Sequence, residues 1–262
     1  MEIEQIKKMV AGPEYKFLGT NPHLKDRIVL VTLGGSYAYG TNVENSDVDI
    51  RGCALNSPSD LLGLTNFEQV VDTKTDTTIY AFNKLIPLLL NCNPNTIELL
   101  GCKPEHYLFL TDIGREMIEN RKLFISQKAV RSFGGYAFQQ LRRLENTLAQ
   151  NRQSQKSKKN NEHLNKHAMH LIRLYLMCFD ILEKGEVITY RGTDLDLLVD
   201  IRRGAYQNAD GTYRDEFFQM VADFEKRFDY ARKNTDIPSK PDIRKVEDFV
   251  MSVNRRSLDI ND

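Results

Sequence analysis

The chain has no tryptophan, few cysteines, no net charge and no long apolar run. Each absence narrows the field. The four cysteines, Cys53, Cys92, Cys102 and Cys178, form no Cys-x-x-Cys pair. That speaks against a zinc ribbon and against a disulfide scaffold, and it suits reduced thiols. Lysine plus arginine and aspartate plus glutamate number 36 each, so the formal charge is zero. The whole molecule therefore has no electrostatic bias toward nucleic acid, although a local basic patch is compatible with neutrality. No apolar stretch is long enough to span a bilayer, and "MEIEQIKKMV" is too charged for a secretory signal. A cytoplasmic protein with no membrane partner is expected. What remains is 262 residues of ordinary globular composition, 41% hydrophobic and 27% charged, enough for one large domain or two smaller ones.

Familiar nucleotide loops are missing too. A P-loop needs Lys after its last glycine, but Thr41 follows Gly40. A dinucleotide fingerprint needs spaced glycines, whereas Gly34 and Gly35 are adjacent. No HD pair or Nudix-like glutamate string appears either.

What is present begins with "RIVLVTL" (27–33), a β-branched run ending in Gly-Gly, hence a buried strand. Ser36 is expected to cap a short helix over "YAYGT". "DVDIRGCAL" alternates, which puts Asp47, Asp49 and Arg51 on one strand face and Val48 and Ile50 on the other. "SPSDLLGL" carries a helix-start signal at Ser57 and Pro58. "FEQVVD" and "TDTTIYAF" read as two strands about a turn at 73–75, and a helical section begins near Leu85. In "NPNTIELL", Asn95 is the expected N-cap and Glu98 its capping-box partner. From about Asp112 helical periodicity dominates, in "AVRSFGGYAFQQLRRLENTLAQ", "HLNKHAMHLIRLYLMCFDILEKG", "RDEFFQMVADFEKRFDYARKN" and "DIRKVEDFVMSVNRRSL". The polar segment "NRQSQKSKKNNEH" (151–163) reads as a mobile loop or a helix extension. The expected organisation is an α/β unit over 1–110 and a helical unit over 111–262 that closes a cleft.

The chemistry concentrates in "LGGSYAYGTNVENSDVDIRG" (33–52). Adjacent glycines let backbone amides approach a phosphate, and the following helix N-terminus favours negative charge, so Gly34, Gly35 and Ser36 are candidate phosphate binders. Two carboxylates on one strand face, Asp47 and Asp49, can hold Mg²⁺ or a similar hard cation such as Mn²⁺ against a triphosphate. A turn with no ligand is the plainer reading of the glycines taken alone.

With Gly34-Gly35-Ser36 and Asp47-Val48-Asp49 in this order, the sequence resembles the hG[GS]…Dh[DE]h signature of the DNA polymerase β nucleotidyltransferase superfamily. The fuller string, followed by "NPNTIELL", "KHAMHLIRL" and "DIRRGAY", is similar to the bacterial and phage YcgL/RlaP-type branch, which is associated with RNA-repair loci. The resemblance implies a mixed α/β (α+β) sheet of polymerase-β type with a helical C-terminal unit. It also implies a third carboxylate on a neighbouring strand. Asp76 is favoured for that place, with Asp72 and Glu68 as alternatives. The implied reaction uses two ions on Asp47, Asp49 and Asp76. It moves a nucleoside monophosphate, AMP from ATP by family analogy, to a hydroxyl such as an RNA 3′ end. A protein side chain or a small molecule is an alternative acceptor, and a binding or regulatory module without turnover is an alternative function.

Candidate nucleotide contacts lie further along. Lys166, His170 and Arg173 share a helical face, which suits either phosphates across a cleft or packing beneath the catalytic unit. His163 and His167, four apart, form a weaker metal candidate with no third ligand nearby. Arg202 and Arg203 precede Gly204, an arrangement that suits either phosphate recognition or a helix C-terminus. Arg51 is placed to pair with the carboxylates or to touch phosphate. Lys156–Lys159 could follow a nucleic-acid backbone, or be a solvated basic loop. Tyr37 and Tyr39 suit a base or ribose, or the core.

Overall fold

The run Ile28–Leu33 is apolar but for Thr32 because it is buried on both faces, with every residue of the strand inside and the Thr32 hydroxyl donating to the His106 carbonyl at 3.2 Å. The structure, a computed structural model, describes residues 1–154 and 158–260. Two short helices, α1 (Ile3–Val10) and α2 (Phe17–Thr20), lead into β1 (Ile28–Leu33). Then come α3 (Gly35–Tyr39), β2 (Ile50–Ala54), α4 (Pro58–Leu62), β3 (Gln69–Asp72), β4 (Thr77–Ala81), α5 (Phe82–Leu90), α6 (Pro94–Ile97) and β5 (Tyr107–Leu110). Helices follow: α7 (Asp112–Glu119), α8 (Lys128–Ser154), α9 (Lys158–Phe179), α10 (Leu195–Arg202), α11 (Asp215–Asn234) and α12 (Ile243–Leu258).

The five strands form one mixed sheet in the order β3-β4-β2-β1-β5. β2 and β4 are parallel, and the other neighbours are antiparallel. Strand residues alternate between faces, and a register shift between Ile28 and Leu30 interrupts that alternation once, so β1 divides its side chains between two apolar clusters with Val29 and Leu30 on the same side. Val29 and Leu30 join the larger cluster; Ile28, Val31 and Leu33 join the smaller one with Ile50 and Ile79. The larger cluster continues through α5, α8 and α9 to Val253 on α12, so apolar packing runs unbroken across residue 110. Phe249 of α12 packs on Phe82 and Phe124, each at 6.2 Å between ring centroids. This returns the last helix to the sheet.

Three local expectations change, and in a fourth place one of two alternatives holds. β2 starts at Ile50, so Asp47 and Asp49 sit in the irregular segment leading into the strand rather than within it. Ser36 is not the cap of α3. Gly34 holds that position in an extended conformation, and Gly40 closes the helix at φ +82°. In α6 the cap is Asn93, whose side chain accepts from the Asn95 amide, because Pro94 takes the first helical position. Glu98 is therefore no capping-box partner; it stands at the C-terminal end of α6. Finally, much of 151–163 is helix extension: α8 runs to Ser154 and α9 starts at Lys158. Residues 155–157 and the side chains of 158–160 lie outside the described residues, and the KSKK expectation falls there.

Candidate active site

The turn after β1 brings three chain segments within hydrogen-bond reach. The Gly34 amide donates to the Asp49 carbonyl at 2.8 Å, and the Ile50 amide donates to the Asp76 carbonyl at 3.0 Å. These bonds stitch the end of β1, the start of β2 and the turn before β4 into one edge. Gly35 has φ +54°, and a Cβ there would lie 1.9 Å from Asp49 Oδ2. A Cβ on Gly34 would lie 2.9 Å from Arg51 Cγ. The glycine pair thus makes room for the Asp49 and Arg51 side chains as well as exposing backbone. Asp76 also has a positive φ, +45°, a conformation that aspartate tolerates better than most residues.

A cavity of about 430 Å³ opens over this edge. Its sheet side carries Asp47, Asp49, Asp76 and Arg51, with Gly35 and Ser36 at the α3 end. Arg51 links two of the carboxylates: its Nη2 lies 3.0 Å from Asp49 and 3.2 Å from Asp76. Its Nη1 donates to the carbonyls of Ile50 and Asp76, at 2.9 and 2.6 Å. Burial pushes the Asp49 carboxyl up to about 6 against the pull of Arg51, and the neighbouring Asp76 adds to the rise. Of the alternative third carboxylates, Asp72 shapes the turn by accepting from the Thr75 amide and hydroxyl, at 3.0 and 2.7 Å. Glu68 pairs with Lys84 at 3.1 Å. Neither lines the cavity; Asp76 does.

The opposite side is cationic and comes from the helical half. Lys166 and His170 face in from α9, one helical turn apart, and Arg202 faces in from the end of α10. Arg202 donates to Ser46 Oγ at 3.3 Å, while its buried Nη1 has no hydrogen-bond partner among the described residues. A buried, unpaired guanidinium N–H at a cavity wall is an open position for an anionic oxygen. His170 is held well below its ordinary value by burial first and then by Arg173, Lys166, His167 and Arg202, so its imidazole stays neutral.

The remaining sequence candidates lie elsewhere. Arg173 is buried behind the cavity, over the Tyr39 ring at 3.8 Å and 3.6 Å from Glu98. Arg203 is exposed and Gly34 sits behind Gly35; neither lines the cavity. His167 bonds Gln140 at 2.8 Å, and His163 is exposed. Among the described residues, no group of three His, Cys, Asp or Glu side chains stands close enough to form a finished metal site. Tyr37 is buried in the smaller apolar cluster.

Sequence reasoning missed Glu98. It is buried, lines the cavity, and accepts from the Tyr39 hydroxyl at 2.7 Å. Burial raises its pKa, opposed by Arg173 and the Tyr39 bond. The available signal was a lone carboxylate inside the apolar string "TIELL", where an unpaired charge would be costly. Asn95, Thr78 and Tyr80 join it in the cavity wall.

A family model described as "RNA repair pathway DNA polymerase beta family", RlaP, matches residues 11–252. The chain belongs to the RlaP family. Among solved structures, a crystal structure of a nucleotidyltransferase-like protein from Exiguobacterium sibiricum 255-15 is similar at 12% identity, covering 96% of this chain and 80% of that one, with a TM-score of 0.31. A search of curated proteins returns no match. Membership of the RlaP family makes this a nucleotidyltransferase-type protein linked to RNA repair. No described helix is long and apolar enough to cross a membrane.

Proposed function

We propose that this RlaP-family protein transfers a nucleoside monophosphate, AMP from ATP, to the terminal hydroxyl of an RNA strand. The observation that carries the reading is the pairing of an acidic wall with a cationic wall across one cavity. We also take 1–110 as the catalytic unit and 111–262 as the unit that supplies the cationic wall.

Asp47, Asp49 and Asp76 are hard oxygen donors on one side of the cavity, as Mg²⁺ or Mn²⁺ requires, and the raised Asp49 carboxyl is a group that a cation would return to its charged form. When bound there, two ions would neutralise triphosphate charge and favour the ionised acceptor hydroxyl. Arg51 now holds Asp49 and Asp76 together, so it must yield at least one of them when a cation is bound. Arg202 and Lys166 bind the phosphates, with the open Arg202 Nη1 taking a phosphate oxygen. The neutral His170 is able to accept or donate a hydrogen bond without adding charge. Asp76 takes the proton of the attacking hydroxyl as its oxygen bonds the α-phosphorus. The bond from that phosphorus to the leaving pyrophosphate breaks in line.

The test is incubation with each α-phosphate-labelled nucleoside triphosphate and separate RNA, protein and metabolite fractions. Label on RNA from ATP, with pyrophosphate released, is the expected result. Label on another fraction changes the acceptor. No labelled product with any triphosphate overturns the reading in favour of a binding module.

A further inference from the structure

A second cavity, of about 410 Å³, lies along α8, with Asn91, Lys128, Arg131, Gly135, Tyr136 and Gln139 in its wall. It neighbours the first. Asn91 ends α5 just before α6, whose Asn95 lines the catalytic cavity. Tyr80, in the catalytic wall, also feels Tyr136 in the second wall: burial raises its hydroxyl pKa, and Tyr136 adds to that rise.

Three features of α8 bear on what this groove could hold. First, the chain is neutral, yet this helix of 27 residues carries Lys128, Arg131, Arg142, Arg143 and Arg152 against Glu145 alone. Arg131 is exposed and has no hydrogen-bond or ion-pair partner among the described residues, while Lys128 is held at the cavity by Asn91, 3.1 Å away. Second, aromatic rings alternate with these cations. Tyr136 is half-buried in the cavity wall, and Phe138 is 57% exposed with the Arg142 guanidinium 5.4 Å from its ring centroid. Third, Gly134 and Gly135 stand mid-helix, where each glycine costs about 1 kcal/mol relative to alanine. Gly134 has a packing reason, since a Cβ there would lie 3.0 Å from the Phe228 ring. Gly135 has none: a Cβ there would meet nothing within 4 Å. Its bare backbone lines the cavity and permits close approach by another chain.

We propose that this groove is the acceptor-strand subsite, in which a single-stranded polynucleotide lies along α8 with phosphates on Lys128 and Arg131 and its end directed past Tyr80 into the catalytic cavity. The inference rests on the transfer reading above and names where the acceptor lies. Cations interleaved with stacking surfaces are what a single strand uses. A duplex keeps its bases stacked inside, and an acidic peptide has no bases to offer Tyr136 or Phe138.

The test is fluorescence anisotropy of a labelled single-stranded RNA with the full chain, with no triphosphate present. The double variant Lys128→Gln/Arg131→Gln is expected to bind about 10-fold or more weakly. Its plot of log affinity against log salt should flatten by about 1.4, the loss of two single-strand phosphate contacts. Gly135→Leu fills the groove without changing charge and should weaken binding while the unfolding midpoint does not fall. Removing the same charge elsewhere, in Lys233→Gln/Lys240→Gln, should leave RNA binding unchanged. Wild-type protein that binds no RNA, a groove variant that binds as tightly as wild type, or a control that loses as much would each overturn the proposal. So would a duplex or an acidic peptide that binds as tightly and responds equally to the groove variants. The two readings fail separately. Label transfer to RNA that the groove variants leave unchanged sinks the groove alone, and groove-dependent RNA binding without label transfer sinks the transfer reading alone.

Discussion

The two walls of the cavity over the sheet edge are built differently. The acidic wall comes from a short stretch of chain, Asp47 to Arg51, completed by Asp76 from the adjacent strand turn. Backbone hydrogen bonds and the absence of a Cβ at Gly35 hold it. The cationic wall comes from two helices, and Lys166, His170 and Arg202 meet there only because α9 and α10 pack against each other and face the sheet. The first wall is local and rigid. The second depends on tertiary packing, and its side chains are long and adaptable. A local wall suits groups that must keep a fixed geometry, and an assembled one suits groups that must follow a moving phosphate.

That contrast makes predictions of decreasing size. Asp49→Ala should lower kcat/KM for pyrophosphate release by on the order of 10³-fold or more, the scale of losing a preorganised electrostatic group. The circular dichroism spectrum should match wild type. Near-normal turnover would mean that the acidic wall does not carry the chemistry. Arg202→Ala should act through KM for the triphosphate, by about 10-fold or more, since a hydrogen bond to a charged group contributes about 1.5–3 kcal/mol. It should change unfolding little, because Nη1 is unpaired in the unliganded protein and the one hydrogen bond lost, to Ser46 Oγ, is long at 3.3 Å. A pure kcat effect would assign this residue to the chemical step instead.

Gly35→Ala should cost about 1–3 kcal/mol in chemical denaturation, from the left-handed backbone and the contact with Asp49. If it were neutral, the rigidity claimed for the acidic wall would be lost. The pH dependence follows from Asp49, whose folded value of about 6 lies above the ordinary carboxylate range. A raised acid favours the folded state when protonated, so this contribution is full at low pH and is lost as pH rises through about 6. Mg²⁺ competes with that proton. The rise in unfolding midpoint on adding Mg²⁺ should therefore be small below about pH 6 and grow above it. A Mg²⁺ shift independent of pH would remove Asp49 from the cation site. The smallest effect expected is at Gly135→Ala, a gain of about 0.5–1 kcal/mol measured by denaturant titration.

Much of the local wall was legible in advance. The β-branched run, the glycine pair and the Asp-x-Asp spacing identify a strand, a turn and two carboxylates near one another. The family resemblance, not the local pattern, favours Asp76 over Asp72 and Glu68, and it is Asp76 that lines the cavity. The strand boundary was placed three residues early, because alternation continues into an extended segment that has not yet paired. Glu98 was misread because its spacing from Asn95 matches a capping box, while Pro94 had already moved the helix start back to Asn93. Lys166, His170 and Arg173 do share a helix, yet Arg173 turns to Tyr39 and Glu98 instead of the cavity. Periodicity states which residues neighbour one another on a helix, not how deeply each one sits in the packing.

By itself, then, the sequence determined the glycine turn and the close spacing of Asp47, Asp49 and Arg51, which are local properties of one short stretch of chain. Asp76 joins them through the pairing of β2 with β4. The tertiary structure alone decided which cations face that half-site, that Glu98 closes the cavity behind Tyr39, and that a basic helix with an unexplained glycine runs beside it. Those features join residues up to 156 positions apart, as in the hydrogen bond of Arg202 to Ser46, and such pairs meet only once the helices have packed on the sheet.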